Sequence, residues 1–471
     1  MTTTKESSAP GALETRGIEP VPADERTGHP AQLFWVWFAA NISILGLPLG
    51  ATLVAVQGLT VWQAVIVAAV GSVGSFAIVG AVSIAGRRGG APGLTLSRAV
   101  FGARGNFGPT AVSLISRLGW ETVNTTTAAF ALLSLCTILF ATTPVAKEHP
   151  ILTIACIAVF ELLTVLVSGL GHAVLVAVQR WATWVFGALN IVVGAFLIGT
   201  IDWSAVAAAS PAPLGAMIAG VGVIAAGTGI GWANASADIS RYQAPAVKAG
   251  SLVLSAAAGA GIPLVLMISL GSMLAAGDPT LAEAGDPVAA IRAMLPPWMA
   301  VPYLLAAFGG LLLSNHLSVY SAGLTTLTLG IRIRRVYAVV VDVIVTFLGA
   351  IYFILVADGF YGPFIAFISL LAVPITAWVG VFLVDMLHRR TYDPVALMDT
   401  SRSSAYWYRA GVEPRALGAW AVAIVVGYLF TSSDWFTGPL AGTWFGENGV
   451  GWIITFVVAA GGYAAMGGGR K

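Results

Sequence analysis

From Leu33 onward the chain alternates between apolar stretches of about twenty residues or more and short polar connections, and twenty apolar residues are what a helix needs to cross a bilayer core. Twelve such spans are predicted, at 33–56, 62–85, 107–140, 151–170, 172–200, 214–238, 247–276, 298–330, 335–357, 360–386, 415–433 and 449–467. The division between spans 4 and 5 rests on Ser168-Gly169-Leu170-Gly171, read as a tight turn. Residues 1–31 hold Pro, Ser, Thr and five carboxylates, without an apolar core or a cleavage site. They read as a disordered cytoplasmic tail rather than a signal peptide.

A long repeat is visible in the spacing. Spans 1–5 cover residues 33–200 and spans 6–10 cover 214–388, and an odd number of spans per half gives the halves opposite orientations. The expected units are therefore a first repeat at 32–200, a second at 201–388, a cytoplasmic loop at 389–414, and spans 11 and 12 with a C-terminal tail at 415–471. The first span of each half carries a glycine-rich interruption, Gly46-Leu47-Pro48-Leu49-Gly50 in span 1 and Gly227-Thr228-Gly229-Ile230-Gly231 in span 6. Matching interruptions in two inverted halves point to the central site of a transporter. The plainer alternative is close helix packing, for which membrane helices commonly use glycine.

Charge fixes the expected orientation. With the N-terminus cytoplasmic, twenty of the 23 Lys and Arg fall on that side, two (Lys147 and Arg292) fall outside, and Arg117 lies within span 3. That asymmetry predicts a multi-pass plasma-membrane protein with both termini cytoplasmic. Composition agrees, since 58% of residues are hydrophobic and only 9% charged, against roughly 45–50% and 25% in soluble domains. A soluble enzyme, a nucleic-acid binder and a disordered chain are excluded. Cys136 and Cys156 both lie in apolar segments, so neither a disulfide framework nor a metal cluster is expected.

Polar groups inside the spans carry the chemistry, because an unpaired charge there costs at least ~2.5–3.5 kcal/mol. Span 3 holds Arg117, Trp120, Glu121 and Asn124. Trp120 and Asn124 share a helix face, offering a ring for stacking and an amide for the edge of a flat heteroaromatic ligand. Glu121 flanks the same face, or else pairs with Arg117 one turn back. Span 6 continues into Trp232, Asn234, Asp238 and Arg241, with Asp238 placed to cap a helix or pair with Arg241. Span 8 contains Ser314-Asn315-His316-Leu317-Ser318, a polar cluster that requires partners or a wet cavity. His316 is the one group there that titrates near neutrality in water. Glu161 and Asp342 are lone carboxylates in spans 4 and 9, with no role assigned. No P-loop, metal-ligand set or Gly-x-Ser-x-Gly elbow occurs. The expectation is a secondary transporter, not an enzyme, with no cofactor and no metal.

These residues resemble the nucleobase–cation symporter family, closest to its cytosine/purine permease branch. The matching stretches are Gly17-Ile-Glu-Pro-Val-Pro-Ala-Asp-Glu-Arg26, Leu33-Phe-Trp-Val-Trp-Phe-Ala-Ala-Asn41 and Pro92-Gly-Leu-Thr-Leu-Ser97-Arg98-Ala-Val-Phe101-Gly102. Gly119-Trp120-x-x-Val123-Asn124, Ala237-Asp238-Ile-Ser240-Arg241-Tyr242 and Ser314-Asn315 with Tyr320-Ser321-Ala322-Gly323 continue the match. The resemblance implies an all-α membrane fold of twelve transmembrane helices, a leucine-transporter-like five-plus-five inverted repeat followed by two helices. It implies a substrate site among spans 1, 3, 6 and 8, with Trp120 stacking, Asn124 one turn on, and Asn41, Asn315 and Ser318 as further contacts.

Two departures from the family pattern matter. The position of a second stacking aromatic falls near Gly229, and the nearest indole is Trp232. Sodium-coupled members place two consecutive hydroxyl residues on span 8, where this chain has Leu313-Ser314. Losing one oxygen ligand weakens a hard-cation site, which favours protons over Na+. Glu121, Ser314, Asp238 and His316 are the candidates for cation coupling. The expected partners are a small heterocycle, the coupling cation and membrane lipid, with no nucleic acid. The rival readings are a Na+-coupled hydantoin- or allantoin-type permease and an amino-acid or small-solute symporter on the same fold. A membrane enzyme or a channel is the rival from another class.

Overall fold

Lipid supplies no hydrogen bonds, so each apolar segment must close its own backbone ladder as a helix. The computed structural model describes residues 14, 16–140, 143, 145–282, 284, 286–357 and 361–469. Its helices in chain order are α1 (Pro30–Asn41), α2 (Gly46–Ala55), α3 (Val61–Gly89), α4 (Gly93–Phe101), α5 (Phe107–Phe140), α6 (Pro150–Leu170), α7 (His172–Ile198), α8 (Trp203–Ala208) and α9 (Leu214–Ala225). They continue with α10 (Ser236–Ser240), α11 (Ala249–Gly277), α12 (Pro287–Ala293), α13 (Ala300–Thr328), α14 (Arg335–Ile351), α15 (Tyr361–His388), α16 (Pro394–Met398), α17 (Pro414–Leu429), α18 (Trp444–Glu447) and α19 (Gly451–Ala465). A two-stranded antiparallel hairpin pairs β1 (Ser432–Ser433) with β2 (Phe436–Thr437).

Each expected span has its helix. Span 1 is split into α1 and α2, span 6 runs from α9 to α10, and spans 2 to 5 are α3, α5, α6 and α7. Spans 7 to 12 are α11, α13, α14, α15, α17 and α19. Among the described residues nine helices are long and apolar enough to cross a membrane, or ten with the bent α1–α2 pair as one span. Helices α17 and α19, of 16 and 15 residues, are shorter. The α6–α7 boundary falls at Gly171, whose φ of +109° is a conformation that glycine tolerates.

The helices gather into two groups. One is α1, α2, α3, α9, α10 and α11; the other is α5, α6, α13 and α14, and α15, α17 and α19 pack together alongside. The two interruptions differ in kind. In span 1 the chain leaves the helix at Ile42–Leu45 and bends by 63°, so the break precedes the glycine run expected to form it. Gly46 and Gly50 are helical and serve packing. A Cβ on Gly50 would sit 1.9 Å from the Ile268 carbonyl oxygen, so α2 and α11 touch there only because glycine has none. In span 6 the interruption lies on the expected residues: a π turn at Ala226–Ile230 is followed by a 3-10 turn at Ala233–Ala235.

The tail needs a correction. Residues 1–13 and 15 lie outside the described residues, but 16–31 are folded rather than disordered. Ile18 and Val21 are buried, the Val21 amide donates to the Gly90 carbonyl, and Gly28 bridges to Gln243. Glu14 supplies the reason, pairing with Arg241 at 2.9 Å and Arg335 at 3.8 Å. A polar segment that finds buried cations and backbone partners has no cause to stay solvated.

Candidate substrate site

Helix α1 delivers Asn41 to the break, its Nδ2 donating to the Trp37 carbonyl at 2.8 Å, four residues back. Helix α5 delivers Trp120 and Asn124 one turn apart, and the residues after the π turn deliver Trp232. They meet around a cavity of about 50 Å³ lined by Asn41, Ser43, Gly46, Leu49, Trp120, Asn124, Gly227, Thr228, Trp232, Leu264 and Ser314, with Ala40 and Leu45. That is room for a few waters and well below the roughly 300 Å³ or more of a small-molecule pocket. A ligand of ring size would fit only with movement of the surrounding helices. A larger hollow of about 800 Å³ opens at the arginine-rich face between the tail and the α13–α14 turn, and none of the expected binding residues line it.

The two indoles are held differently. Trp120 stands edge-on to Phe364, with centroids 5.0 Å apart at 80°. Trp232 stands edge-on to Trp37, at 5.5 Å and 70°, and the Arg117 guanidinium lies over its ring at 4.3 Å. Arg117 also donates to the Gly231 carbonyl, so this buried cation is spent on the span 6 break. Among the described residues no ion pair joins it to Glu121, whose Oε1 instead accepts from Ser318 at 2.8 Å.

The remaining expected site residues divide into layers. Asn315 stands behind the cavity, accepting from Asn124 at 3.4 Å and donating to Thr164 at 3.2 Å. Ser318 and Glu121 form the same layer one turn away. Gly229 does not reach the cavity: its amide donates to Ser75 at 3.2 Å, and a Cβ there would meet the Ser75 hydroxyl at 2.4 Å. An aromatic ring at 229 would have to displace α3, which leaves Trp232 as the indole of span 6. Ser314 lines the cavity, and the neighbouring Leu313 carbonyl accepts from Gln179 Nε2 at 2.6 Å. Asp238 lies apart from the cavity, accepting from the Gly93 amide at 2.9 Å and from Ser321 at 2.6 Å. It caps the start of α4, and no ion pair with Arg241 is present among the described residues. His316 is also outside the cavity, its backbone carbonyl accepting from Ser168.

Sequence reasoning missed Ser43, Leu49, Thr228 and Leu264 as lining residues. Leu49 and Thr228 lie within the glycine-rich runs singled out above, and Ser43 lies in the span 1 break itself. Leu264, on α11, carried none. Among the described residues no group of three His, Cys, Asp or Glu is placed to hold a metal ion.

Residues 20–454 match a family described as permeases for cytosine/purines, uracil, thiamine and allantoin. A relative from Bacillus subtilis (strain 168), provisionally named purine-cytosine permease YxlA, is 26% identical over 461 residues, covering 95% of this chain and 94% of its own. Among solved structures, Mhp1, a nucleobase–cation–symport-1 family transporter with bromovinylhydantoin bound in a closed conformation, superposes with a TM-score of 0.73 at 20% identity, covering 97% of this chain and 95% of that one. MhsT in complex with L-phenylalanine gives 0.56 at 13% identity, covering 92% and 99%.

Proposed function

The chain belongs to the family of permeases for cytosine/purines, uracil, thiamine and allantoin, a family of transporters rather than enzymes, and from that membership we propose that it imports a nucleobase or related small heterocycle together with a proton. The observation that carries the reading is the cavity itself: two indoles and two carboxamides, Trp120, Trp232, Asn41 and Asn124, converge on one small space between broken helices. Rings for stacking and amides that donate and accept along an edge suit a flat heterocycle. The rival amino-acid carrier would need mainly carboxylate and ammonium contacts, and no charged side chain lines the space, although helix ends at a break can also meet a carboxylate.

The proposed topology has twelve spans, a five-plus-five inverted repeat and both termini cytoplasmic in the plasma membrane. The two helix groups support alternating access, in which α1–α3 and α9–α11 rock against α5, α6, α13 and α14 around the breaks. Protons are favoured over Na+ because Leu313 contributes an alkyl side chain where a second hydroxyl would be needed, and its carbonyl is already engaged by Gln179. Glu121, one residue from Trp120 and fully buried, is the leading proton carrier.

The test is competition of radiolabelled cytosine or hypoxanthine uptake by a panel of unlabelled heterocycles and amino acids. Saturable uptake displaced by heterocycles alone is expected. Displacement by amino acids, or flux that never saturates, refutes the reading.

A further inference from the structure

Behind the cavity, α5, α6, α13 and α14 enclose three carboxyl groups: Glu121, Glu161 and Asp342, exposed by 0%, 3% and 3%. The ion pairs among the described residues all lie elsewhere. Each carboxyl is bonded through one oxygen only. Glu121 Oε1 accepts from Ser318 at 2.8 Å, Glu161 Oε1 accepts from both Thr125 and Thr346 at 2.8 Å, and Asp342 Oδ1 accepts from Thr326 at 3.4 Å. The second oxygen of each is buried with no partner. Buried carboxyls without a cation are costly inside a membrane and mark routes for ions or protons.

Helix spacing sets the three in one row, with a helix turn at each end that no hydrogen bond among the described residues spans. Glu121 and Thr125 are a turn apart on α5, and Thr346 and Asp342 are a turn apart on α14. Thr125 and Thr346 both donate to Glu161, so the order is Glu121, Thr125, Glu161, Thr346, Asp342. Asp342 and Glu161 both lie within electrostatic reach of Glu121, as does Arg117 on its own helix. Asp238 faces Arg117 from span 6, and His316 on α13 stands beside Leu163 of α6. One end of the path adjoins the cavity through Trp120 and Asn124. The other end, Asp342, is seven residues from Arg335 at the start of α14, about 10 Å of helix rise from the arginine-rich face.

We propose that Glu161 and Asp342 are proton-transfer residues that relay the coupling proton between Glu121 and the arginine-rich face. The proposal rests on the proton-driven reading above. In each cycle the Glu121 O–H gives its proton through the threonine hydroxyls to the ionised member of the Glu161/Asp342 pair, and Asp342 releases one proton to water. Glu121, left as a carboxylate, takes the next proton from the opposite side with the incoming substrate. Only O–H bonds form and break, and nothing is oxidised or reduced. The helices that hold the path belong to the group opposite the moving α1–α2 and α9–α10 breaks, so the relay keeps its geometry through the cycle.

The test uses the full chain in proteoliposomes loaded with a pH-sensitive dye. Radiolabelled cytosine is the probe, or hypoxanthine where the competition panel selects it. Glu161→Gln and Asp342→Asn should each slow proton-driven accumulation and substrate-dependent acidification at least tenfold. Substrate Kd should stay within threefold of wild type, and substrate-for-substrate exchange should persist. Asp342→Glu, which restores a carboxyl, should recover accumulation, an outcome that a packing role does not give. Accumulation in both amide variants equal to wild type overturns the relay while leaving proton coupling intact. Loss of substrate binding along with accumulation overturns it too, since that marks the carboxyls as packing elements. Wild-type accumulation under a sodium gradient with none under a proton gradient instead overturns the underlying reading.

Discussion

Replacing Glu14 with Gln should release the N-terminal tail from the arginine-rich face. The carboxylate is bonded to Arg241 at 2.9 Å, accepts from Tyr242 and from Tyr320, and its second oxygen accepts from the His172 amide at 2.8 Å. Arg335 stands 3.8 Å away. The glutamine side chain keeps the shape and removes the charge, leaving Arg241 buried against the Gly17 carbonyl and two phenol hydroxyls. Breaking one side of a buried pair typically costs 3–5 kcal/mol. The cost is local, because an undocked tail lets water reach Arg241, so the tail opens before the bundle unfolds. At about 1.4 kcal/mol per factor of ten, the open fraction should rise by roughly two to three and a half orders of magnitude. Trypsin cleavage between Arg16 and Gly17 reads that fraction when reclosing outpaces cutting. Equal cleavage of Glu14→Gln and wild type would refute the reasoning. The pH dependence has a fixed sign. Burial opposes ionisation of Glu14, but Arg241, Arg335 and the Tyr242 hydrogen bond outweigh it and hold the carboxyl below its usual range. The docked tail is then fully stabilised above the ordinary carboxylate pKa and loses that stabilisation as pH falls through the lowered value. Opening of the tail, read by amide hydrogen exchange because trypsin is inactive in acid, should be flat near neutrality and rise only in acid.

Other expectations concern the site, the packing and the topology. Trp120→Ala should weaken heterocycle binding by about 1–3 kcal/mol, the scale of base–aromatic stacking in nucleic-acid complexes, and Asn124→Ala should change the order of preference among heterocycles. Binding assays settle both, and normal binding in the two variants with loss in Trp232→Ala would move the stacking face to span 6. Gly50→Ala forces a Cβ to within 1.9 Å of the Ile268 oxygen and should lower thermal stability in detergent by about 1–3 kcal/mol, whereas Gly74→Ala, which meets nothing within 4 Å, should not. Reporter fusions after Gly105, Arg241 and Arg390 should report a cytoplasmic position, and those after Pro144, Asp286 and Trp435 an external one. An external signal at Arg390 would overturn both the twelve-span count and the inverted repeat.

The linear pattern of this chain determined where its helices run, because a segment of twenty apolar residues in lipid has one way to satisfy its backbone. It also placed Trp120 and Asn124 on one face, since a four-residue spacing on a helix needs no tertiary information, and it marked the span 6 interruption through three glycines in five residues. What it left open depends on what stands opposite each residue. Gly46 and Gly50 look like a break, yet the bend falls at Ile42–Leu45 because those glycines are occupied by contact with α11. Gly229 and Trp232 are three residues apart, and only the approach of α3 to Gly229 decides which of them reaches the cavity. Asn315 and Ser318 belong to the polar cluster that the sequence singled out, but the rotation of α13 turns both towards α5 and α6. The tail was legible as polar and not as folded, since its partners Arg241 and Arg335 lie more than two hundred residues away. Periodicity fixes which face a residue occupies along its own helix, and packing alone decides what that face meets.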